Sequence, residues 1–106
     1  RGAAGHELDR LDYDLGTPSN TFLLASSSGH SDSYHHAVEE VFSMDSKQGG
    51  TVNPFVRADM VYFENLNGGA VFSVGSISWC GSLSYNNYDN NVSRITENVL
   101  KKFSSE

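Results

Sequence analysis

The fold is decided by residues 57–77, which read RADMVYFENLNGGAVFSVGSI. Two runs rich in β-branched and aromatic residues, Arg57–Glu64 and Ala70–Ile77, flank a linker that contains Asn67-Gly68. Asn-Gly between two such runs is the strongest short-range signal for a β-hairpin, because the tight turn needs a positive φ at its central positions. We therefore predict two antiparallel neighbouring strands over these runs.

A further strand and a helix are predicted upstream of the hairpin. The apolar run Thr21–Ser26 follows turn residues and has the length of a buried strand. Beyond a polar loop, apolar side chains recur at helical spacing, which predicts a helix that begins at Ser31 or Asp32 and ends near Asp45. The positions that form its apolar face are Tyr34, Ala37, Val38, Val41 and Phe42. Residues 1–20 fit neither period, and we interpret them as an irregular acidic loop.

The C-terminal part is predicted to be a loop followed by a helix. Residues 78–91 are rich in Ser, Gly, Asn and Tyr, which is typical of a loop. Helical spacing then runs from Val92 to Phe103, and Asp89-Asn90-Asn91 marks the start of this helix. The order loop, strand, helix, hairpin, loop, helix predicts an α/β fold with a mixed sheet that makes only a partial layer.

Composition and charge exclude several classes of function. The chain of 106 residues has 7 Lys and Arg against 13 Asp and Glu, and this net charge of −6 disfavours a nucleic-acid partner. No apolar run approaches the roughly 18 to 20 residues that span a bilayer, so we expect no membrane insertion. The single cysteine, Cys80, allows neither an internal disulfide nor a multi-thiolate zinc site. Because the chain opens with Arg1 inside a small-residue run, we expect 1–106 to be a fragment of a longer polypeptide.

His30 is the first candidate for a site. Gly29-His30-Ser31-Asp32 lies just beyond a predicted strand and at the start of a predicted helix, where open α/β sheets collect ligand-binding groups. This position makes His30 a candidate pocket residue. The alternative is structural: Gly29 forms a tight turn, Ser31 or Asp32 caps the helix, and His30 is a solvated loop residue.

The other histidines do not predict a metal site. His35 and His36 are adjacent, and neighbouring residues on a helix point about 100° apart, so both cannot face one ion. No His-x-x-x-His pair exists in the chain. We therefore expect no metal site built from this segment alone.

Glu7 and Cys80 each allow two interpretations. Glu7 lies among small residues beside His6, so its carboxylate could orient a histidine or hold a metal-bound water, or it could form a salt bridge with Arg10. Cys80 follows a strand but lacks the glycine two residues before it that a strained nucleophile turn uses. A buried small hydrophobe is the favoured interpretation of Cys80, and a cysteine hydrolase is the weakest of the functional hypotheses.

Three blocks of the chain resemble the C-terminal region of the N,N-dimethylformamidase large (beta) subunit family. The first block is residues 2–10 with Asp12, the second is residues 57–64 continuing into 68–72, and the third is residues 75–83 continuing through 90–100. Together they cover nearly the whole chain. The resemblance implies that 1–106 is the C-terminal part of a larger domain with a flavodoxin-like layer, similar to class I glutamine amidotransferases.

The resemblance also implies a function. Such proteins are amidohydrolases of the bacterial cytoplasm that hydrolyse small N-substituted formamides such as N,N-dimethylformamide to amine and formate. The implied cofactor is a mononuclear iron, held by two tyrosines and one glutamate that we expect mainly upstream of this segment. The implied partners are the remainder of the large subunit, a small subunit and a small amide substrate, within an oligomer; the segment alone is expected to be inactive.

Within this chain, the resemblance assigns a role to Glu7 only. Glu7 matches the glutamate of the family's glycine-rich block, and we expect it to orient a general-base histidine rather than to bind iron. The alternative hypothesis is a noncatalytic amidotransferase-like domain for subunit packing or ligand binding. A Glu7 that lies in a pocket near His6 or His30 favours catalysis, whereas a solvent-exposed partner of Arg10 favours the structural role.

Overall fold

The computed structural model describes residues 2–37 and 47–105. They contain a short 3-10 turn at Tyr13–Leu15, three strands and two helices. The strands are β1 (Phe22–Ser27), β2 (Ala58–Glu64) and β3 (Ala70–Ser73), and the helices are α1 (Ser78–Ser82) and α2 (Asn91–Ser104). The sheet has the order β1-β2-β3, and both strand pairs are antiparallel. The chain thus combines α and β elements as predicted. The prediction of a mixed sheet was wrong, because both strand pairs in the described residues are antiparallel.

The predicted hairpin is confirmed. Tyr62 pairs with Phe72 and Glu64 with Ala70, and the turn between them contains Gly68 at a φ of 83°. The second strand is shorter than the prediction, which extended it to Ile77. It ends at Ser73 because Gly75 adopts a φ of 69° and turns the chain away from the sheet.

Strand β1 lies where the sequence predicts it, but it is not buried. Its side chains Phe22, Leu23 and Leu24 are 64%, 53% and 52% exposed. The strand forms an edge of the sheet, and its register shifts between Leu23 and Ala25, which leaves Leu24 in a bulge. The prediction of a buried strand was wrong because apolar composition is equally compatible with an edge strand whose outer surface has no cover in the described part of the chain.

The helix predicted to begin at Ser31 or Asp32 is wrong over residues 31–37, which form turns and an isolated bridge between His35 and Gly49. The Asp32 carboxylate accepts hydrogen bonds from the backbone N–H and the hydroxyl of Thr51 instead of capping a helix. These two bonds hold the pKa of Asp32 below its ordinary value. The remaining predicted positions of that helix, Val38, Val41 and Phe42, lie outside the described residues.

The C-terminal helix is confirmed from its first turn. The Asn90 side chain accepts a hydrogen bond from the backbone N–H of Ser93 at 2.9 Å, which is the N-cap contact that the sequence indicates. The apolar side of α2 faces the sheet across a groove of about 400 Å³. The preceding loop prediction was wrong in part, because it contains α1, whose Trp79 indole N–H donates to the Thr96 hydroxyl on α2.

The described residues enclose very little apolar core. Val56 and Ala58 are its buried hydrophobic side chains, and the most buried charged residue is Asp59, at 2% exposure. None of the helices in this part of the chain has the length and apolar character that crossing a membrane requires.

Candidate functional site

The candidate site is built on a strained turn at Gly5-His6-Glu7. The backbone N–H of Glu7 donates to the carbonyl of Gly5 at 2.8 Å, which closes a three-residue turn around His6. His6 has a φ of 64°, a conformation that non-glycine residues rarely adopt. Strain of this kind persists only where the surroundings hold it, and it is concentrated at functional sites.

Two long-range contacts hold this turn. Ser76, which is buried, accepts the backbone N–H of Gly5 at 2.7 Å and donates its hydroxyl to the carbonyl of the same residue at 2.8 Å. On the other side, the backbone N–H of His6 donates to the Tyr34 hydroxyl oxygen at 3.1 Å. The turn therefore presents Glu7 from a backbone that is anchored on both sides.

Glu7 lines a polar groove of about 530 Å³ together with three histidines. The residues that share this groove and carry polar or aromatic side chains are His6, Glu7, Asp9, Arg10, Ser33, Tyr34, His35, His36 and Phe55. Arg10 does not take the expected salt bridge with Glu7. Its guanidinium donates to Asp12 at 2.7 Å and stacks over the Phe55 ring at 4.7 Å. Glu7 is thus not paired with Arg10, and it lines the groove beside His6 with its side chain exposed.

The carboxyl groups of Glu7 and Asp9 lie next to each other. The negative charge of Asp9, the hydrogen bond between the two carboxyls and, last, desolvation raise the pKa of Glu7 above its ordinary value. The backbone of Asp9 is fixed, since its N–H donates to the Gly75 carbonyl at 2.8 Å and its carbonyl accepts from the Asp59 N–H at 2.9 Å. The raised pKa of Glu7 therefore reflects the Asp9 carboxylate that is held beside it in the groove.

Asp59 holds in place the segment that follows Glu7. Its buried carboxylate accepts from the Leu11 backbone N–H at 2.8 Å, the Ser26 hydroxyl at 2.6 Å and the Arg57 Nε at 2.9 Å. These bonds join the segment that carries Glu7 to β1 and β2. Sequence reasoning missed this role, although a lone aspartate in an otherwise apolar strand was the signal that could have found it.

His30 lies in a different cavity from Glu7. It lines a pocket of about 420 Å³ whose other members include Ser27, Met60 and Trp79. Its Nε2 lies 3.0 Å from the Ser27 hydroxyl, and its ring meets the Tyr34 ring edge-on with 5.4 Å between centroids. His30 and Glu7, the two candidate residues from the sequence, therefore lie in different cavities. Tyr34 lines the groove of Glu7 and also contacts the His30 ring.

Cys80 is exposed on α1, so the prediction of a buried cysteine was wrong. Trp79 of this helix contacts α2 through its indole N–H, while the next side chain, Cys80, lies at the surface. Over residues 2–37 and 47–105, no three His, Cys, Asp or Glu side chains converge as metal ligands would.

Comparison with known proteins identifies the family. The family model described as N,N-dimethylformamidase beta subunit-like, C-terminal, matches residues 1–90. The N,N-dimethylformamidase beta subunit of Paracoccus aminophilus is 57% identical over 102 residues, and that of an Alcaligenes species is 54% identical over 102 residues. Each match covers 96% of this chain and 13% of the relative, so the chain spans about an eighth of the length of these relatives. The chain therefore belongs to the N,N-dimethylformamidase beta subunit-like family and corresponds to its C-terminal part.

Proposed function

We propose that this chain forms part of an amidohydrolase that hydrolyses small N-substituted formamides, of which N,N-dimethylformamide is the model substrate, to amine and formate. The observation that carries the proposal is the position of Glu7, which is held by a strained turn in a polar groove with His6, His35 and His36. The names of the two relatives, both N,N-dimethylformamidase beta subunits, support the same reaction.

The role we propose for Glu7 is to orient a general-base histidine. In formamide hydrolysis, water adds to the formyl carbon and gives a proton to the base, the C–N bond breaks, and the amine leaves with a proton returned by the same group. An ionised carboxylate that accepts one imidazole N–H fixes the tautomer, so that the other ring nitrogen is free to take the proton from water. Glu7 is exposed to the groove and offers such an acceptor.

The remaining parts of the proposal concern the whole subunit. We propose that a mononuclear iron is held mainly by residues upstream of this segment, as the family resemblance implies. We further propose that the large subunit acts with a small subunit as an oligomer in the bacterial cytoplasm. In that assembly this segment would complete an amidotransferase-like layer and would be inactive alone.

A second candidate, a noncatalytic domain for subunit packing, is favoured by one specific observation. The apolar side chains Phe22, Leu23 and Leu24 on β1 are each more than half exposed. An apolar strand of this kind at the edge of a sheet is a typical packing surface for another part of an assembly. One chain can serve both roles. Glu7 distinguishes them, because it takes part in the reaction only if the domain is catalytic.

The proposal predicts the effect of Glu7→Gln in the full-length subunit assembled with its partners. Glutamine keeps the shape of the side chain but cannot stabilise a charged imidazolium, so kcat for N,N-dimethylformamide should fall by at least about 100-fold. Formate and dimethylamine release would be measured together with iron content by elemental analysis. We expect the iron content to stay at the wild-type level.

The matched control for this experiment is Glu97→Gln. Glu97 pairs with Lys101 on the exposed surface of α2 and does not line the polar groove of Glu7, so its substitution should leave turnover unchanged. Wild-type turnover in Glu7→Gln would favour the packing role instead. Loss of iron in that variant would make Glu7 a metal ligand and would overturn its assignment as an orienting residue.

A further inference from the structure

We propose that Tyr34 is a positioning residue, which holds the Gly5-His6-Glu7 turn through its hydroxyl and so sets the orientation of Glu7. This inference deepens the proposed function and rests on it. Tyr34 is 27 residues from Glu7 in sequence, and nothing in the sequence pattern links the two. The structure connects them through one hydrogen bond, from the His6 backbone N–H to the Tyr34 hydroxyl oxygen at 3.1 Å.

The turn needs this support because its conformation is intrinsically unfavourable. A residue with a side chain pays about 1 kcal/mol or more for a left-handed backbone, and His6 has a φ of 64°. If His6 relaxes to a negative φ, the direction of the chain changes immediately before Glu7. The Tyr34 hydroxyl accepts the N–H of the strained residue itself, and therefore acts at the point where relaxation would start.

Tyr34 is itself a fixed point. Its backbone N–H donates to the Ser31 carbonyl at 3.1 Å, and its carbonyl accepts from the Gly50 N–H at 3.0 Å. Its half-buried ring lies edge-on against His30. A phenol held in this way can carry an acceptor oxygen to one position with little loss of side-chain entropy.

Contact around the turn is close on the Tyr34 side. A Cβ added at Gly5 would lie 3.2 Å from the Tyr34 hydroxyl and 2.8 Å from the Ser78 hydroxyl, so the turn fits against these two groups with no space for a methyl group. Ser76 holds the same turn from the opposite side through Gly5. Two independent anchors explain why the strained conformation persists, and they predict that removing one loosens the turn without unfolding the protein.

The first test is amide hydrogen exchange of the full-length enzyme with Tyr34→Phe, which removes only the hydroxyl. Peptides that cover residues 5–8 should exchange faster by about 3- to 10-fold, the change expected for one lost hydrogen bond. Ser76→Ala should accelerate exchange in the same peptides. Unchanged exchange in Tyr34→Phe, at an unchanged melting temperature, overturns the proposal whatever the activity.

The second test asks whether the hydroxyl acts through Glu7. Tyr34→Phe should lower kcat for N,N-dimethylformamide by about 3- to 10-fold with little change in KM, because the reacting groups and not the bound substrate are displaced. In an enzyme that already carries Glu7→Gln, adding Tyr34→Phe should have no further effect on the residual rate. Equal losses in both backgrounds would show that Tyr34 does not act through Glu7 and would overturn the proposal.

Controls separate this inference from the proposed function. Tyr62→Phe removes a hydroxyl that donates to Glu64 at the sheet, and it should change neither exchange at 5–8 nor turnover. If Tyr34→Phe does not fold, Gly5→Ala replaces it, because the added methyl group crowds the Tyr34 hydroxyl. Gly81→Ala is its control, since a methyl group at Gly81 meets open space. Fast exchange in Tyr34→Phe combined with wild-type turnover in Glu7→Gln would show that the Tyr34 hydroxyl holds the turn. The same result would overturn the proposed function, and with it the positioning role that rests on it.

Discussion

At the scale of single residues, the proximity of Asp9 to Glu7 predicts a pH dependence. The charge of Asp9 raises the pKa of Glu7 above the ordinary value of 4.5, so Glu7 keeps its proton to a higher pH than an isolated glutamate. In the folded chain this proton is held more tightly than in the unfolded one. The resulting contribution to stability is therefore present below the ordinary pKa and is lost as the pH rises through the folded-state pKa.

The prediction concerns Asp9→Asn in the full-length enzyme. Asparagine removes the negative charge and leaves both backbone bonds of residue 9 in place, so the pKa of Glu7 should fall. If ionised Glu7 orients the base, the acidic limb of the kcat/KM profile should move to lower pH, as measured by formate release across the acid range.

Asp14→Asn is the control for this shift. Asp14 is an exposed acid in the 3-10 turn, outside the groove that Glu7 lines, and its substitution should leave the profile in place. An acidic limb that stays fixed in Asp9→Asn would contradict the assignment of that limb to Glu7.

At the scale of elements, the segment around Asp9 is bonded to Asp59 in β2 and to Gly75, just beyond the end of β3. A Cβ at Gly75 would lie 2.6 Å from the Asp59 carbonyl oxygen and 2.8 Å from the Asp9 carbonyl oxygen, both of which are backbone atoms. The close approach lets the Asp9 N–H reach the Gly75 carbonyl. The absence of a side chain at this glycine is therefore a condition for the wall of the groove.

Gly75→Ala should disrupt the contact between Gly75 and the segment around Asp9. The substitution costs about 1 kcal/mol for the positive φ and about 1 to 3 kcal/mol more for the clash with backbone. The melting temperature of the full-length subunit should fall, and turnover should fall with it because Asp9 and Glu7 lose their support.

Gly68→Ala isolates the clash from the backbone strain. Gly68 has a φ of 83° but no atom within 4 Å of the added Cβ, so its substitution should show the cost of the φ alone. Equal losses of stability in Gly68→Ala and Gly75→Ala would contradict the importance of the close approach.

At the scale of the whole molecule, the chain exposes more surface than a compact protein of its mass. Its accessible surface is 7865 Å², whereas a compact protein of 11.6 kDa exposes roughly 5,800 Å². The excess includes the apolar side chains of β1. The extra exposure lowers the hydrophobic contribution to the net stability, which is usually about 5 to 15 kcal/mol for a domain.

We therefore predict that residues 1–106 produced alone unfold with a free energy of less than about 5 kcal/mol. We also predict that they bind a hydrophobic dye and associate in a concentration-dependent way. Urea unfolding, dye fluorescence and sedimentation measure these three properties. Leu23→Lys should reduce association, because it replaces an exposed apolar side chain of β1 with a charged one.

Ser73→Lys is the matched control, since it adds the same charge to an exposed polar position of β3. It should leave the association at the level of the unsubstituted chain. A monomeric, cooperatively unfolding segment would contradict the prediction at this scale.

The sequence alone determined the features that depend on neighbours a few positions away. The hairpin follows from Asn67-Gly68 between two β-rich runs, and the start of α2 follows from the Asn90 side chain and the N–H of Ser93. In both cases the deciding interaction closes within a few residues, and its energy does not depend on the rest of the fold. The family resemblance was equally readable, because it depends on blocks of residue identity, and the comparisons confirm it.

Only the tertiary structure decided which residues meet at the site and what is buried. The contacts that hold the Glu7 turn join residues far apart in sequence, as Ser76 does with Gly5 and Tyr34 with His6. Asp32 had the local signal of a helix cap, yet its two bonds to Thr51 across the loop prevailed, because a weak local propensity yields to stronger long-range hydrogen bonds. His30 and Glu7 line different cavities, which no local pattern encodes. The exposure of β1 has a simpler reason: an apolar run indicates what its side chains prefer, while their burial depends on whether another element lies against them.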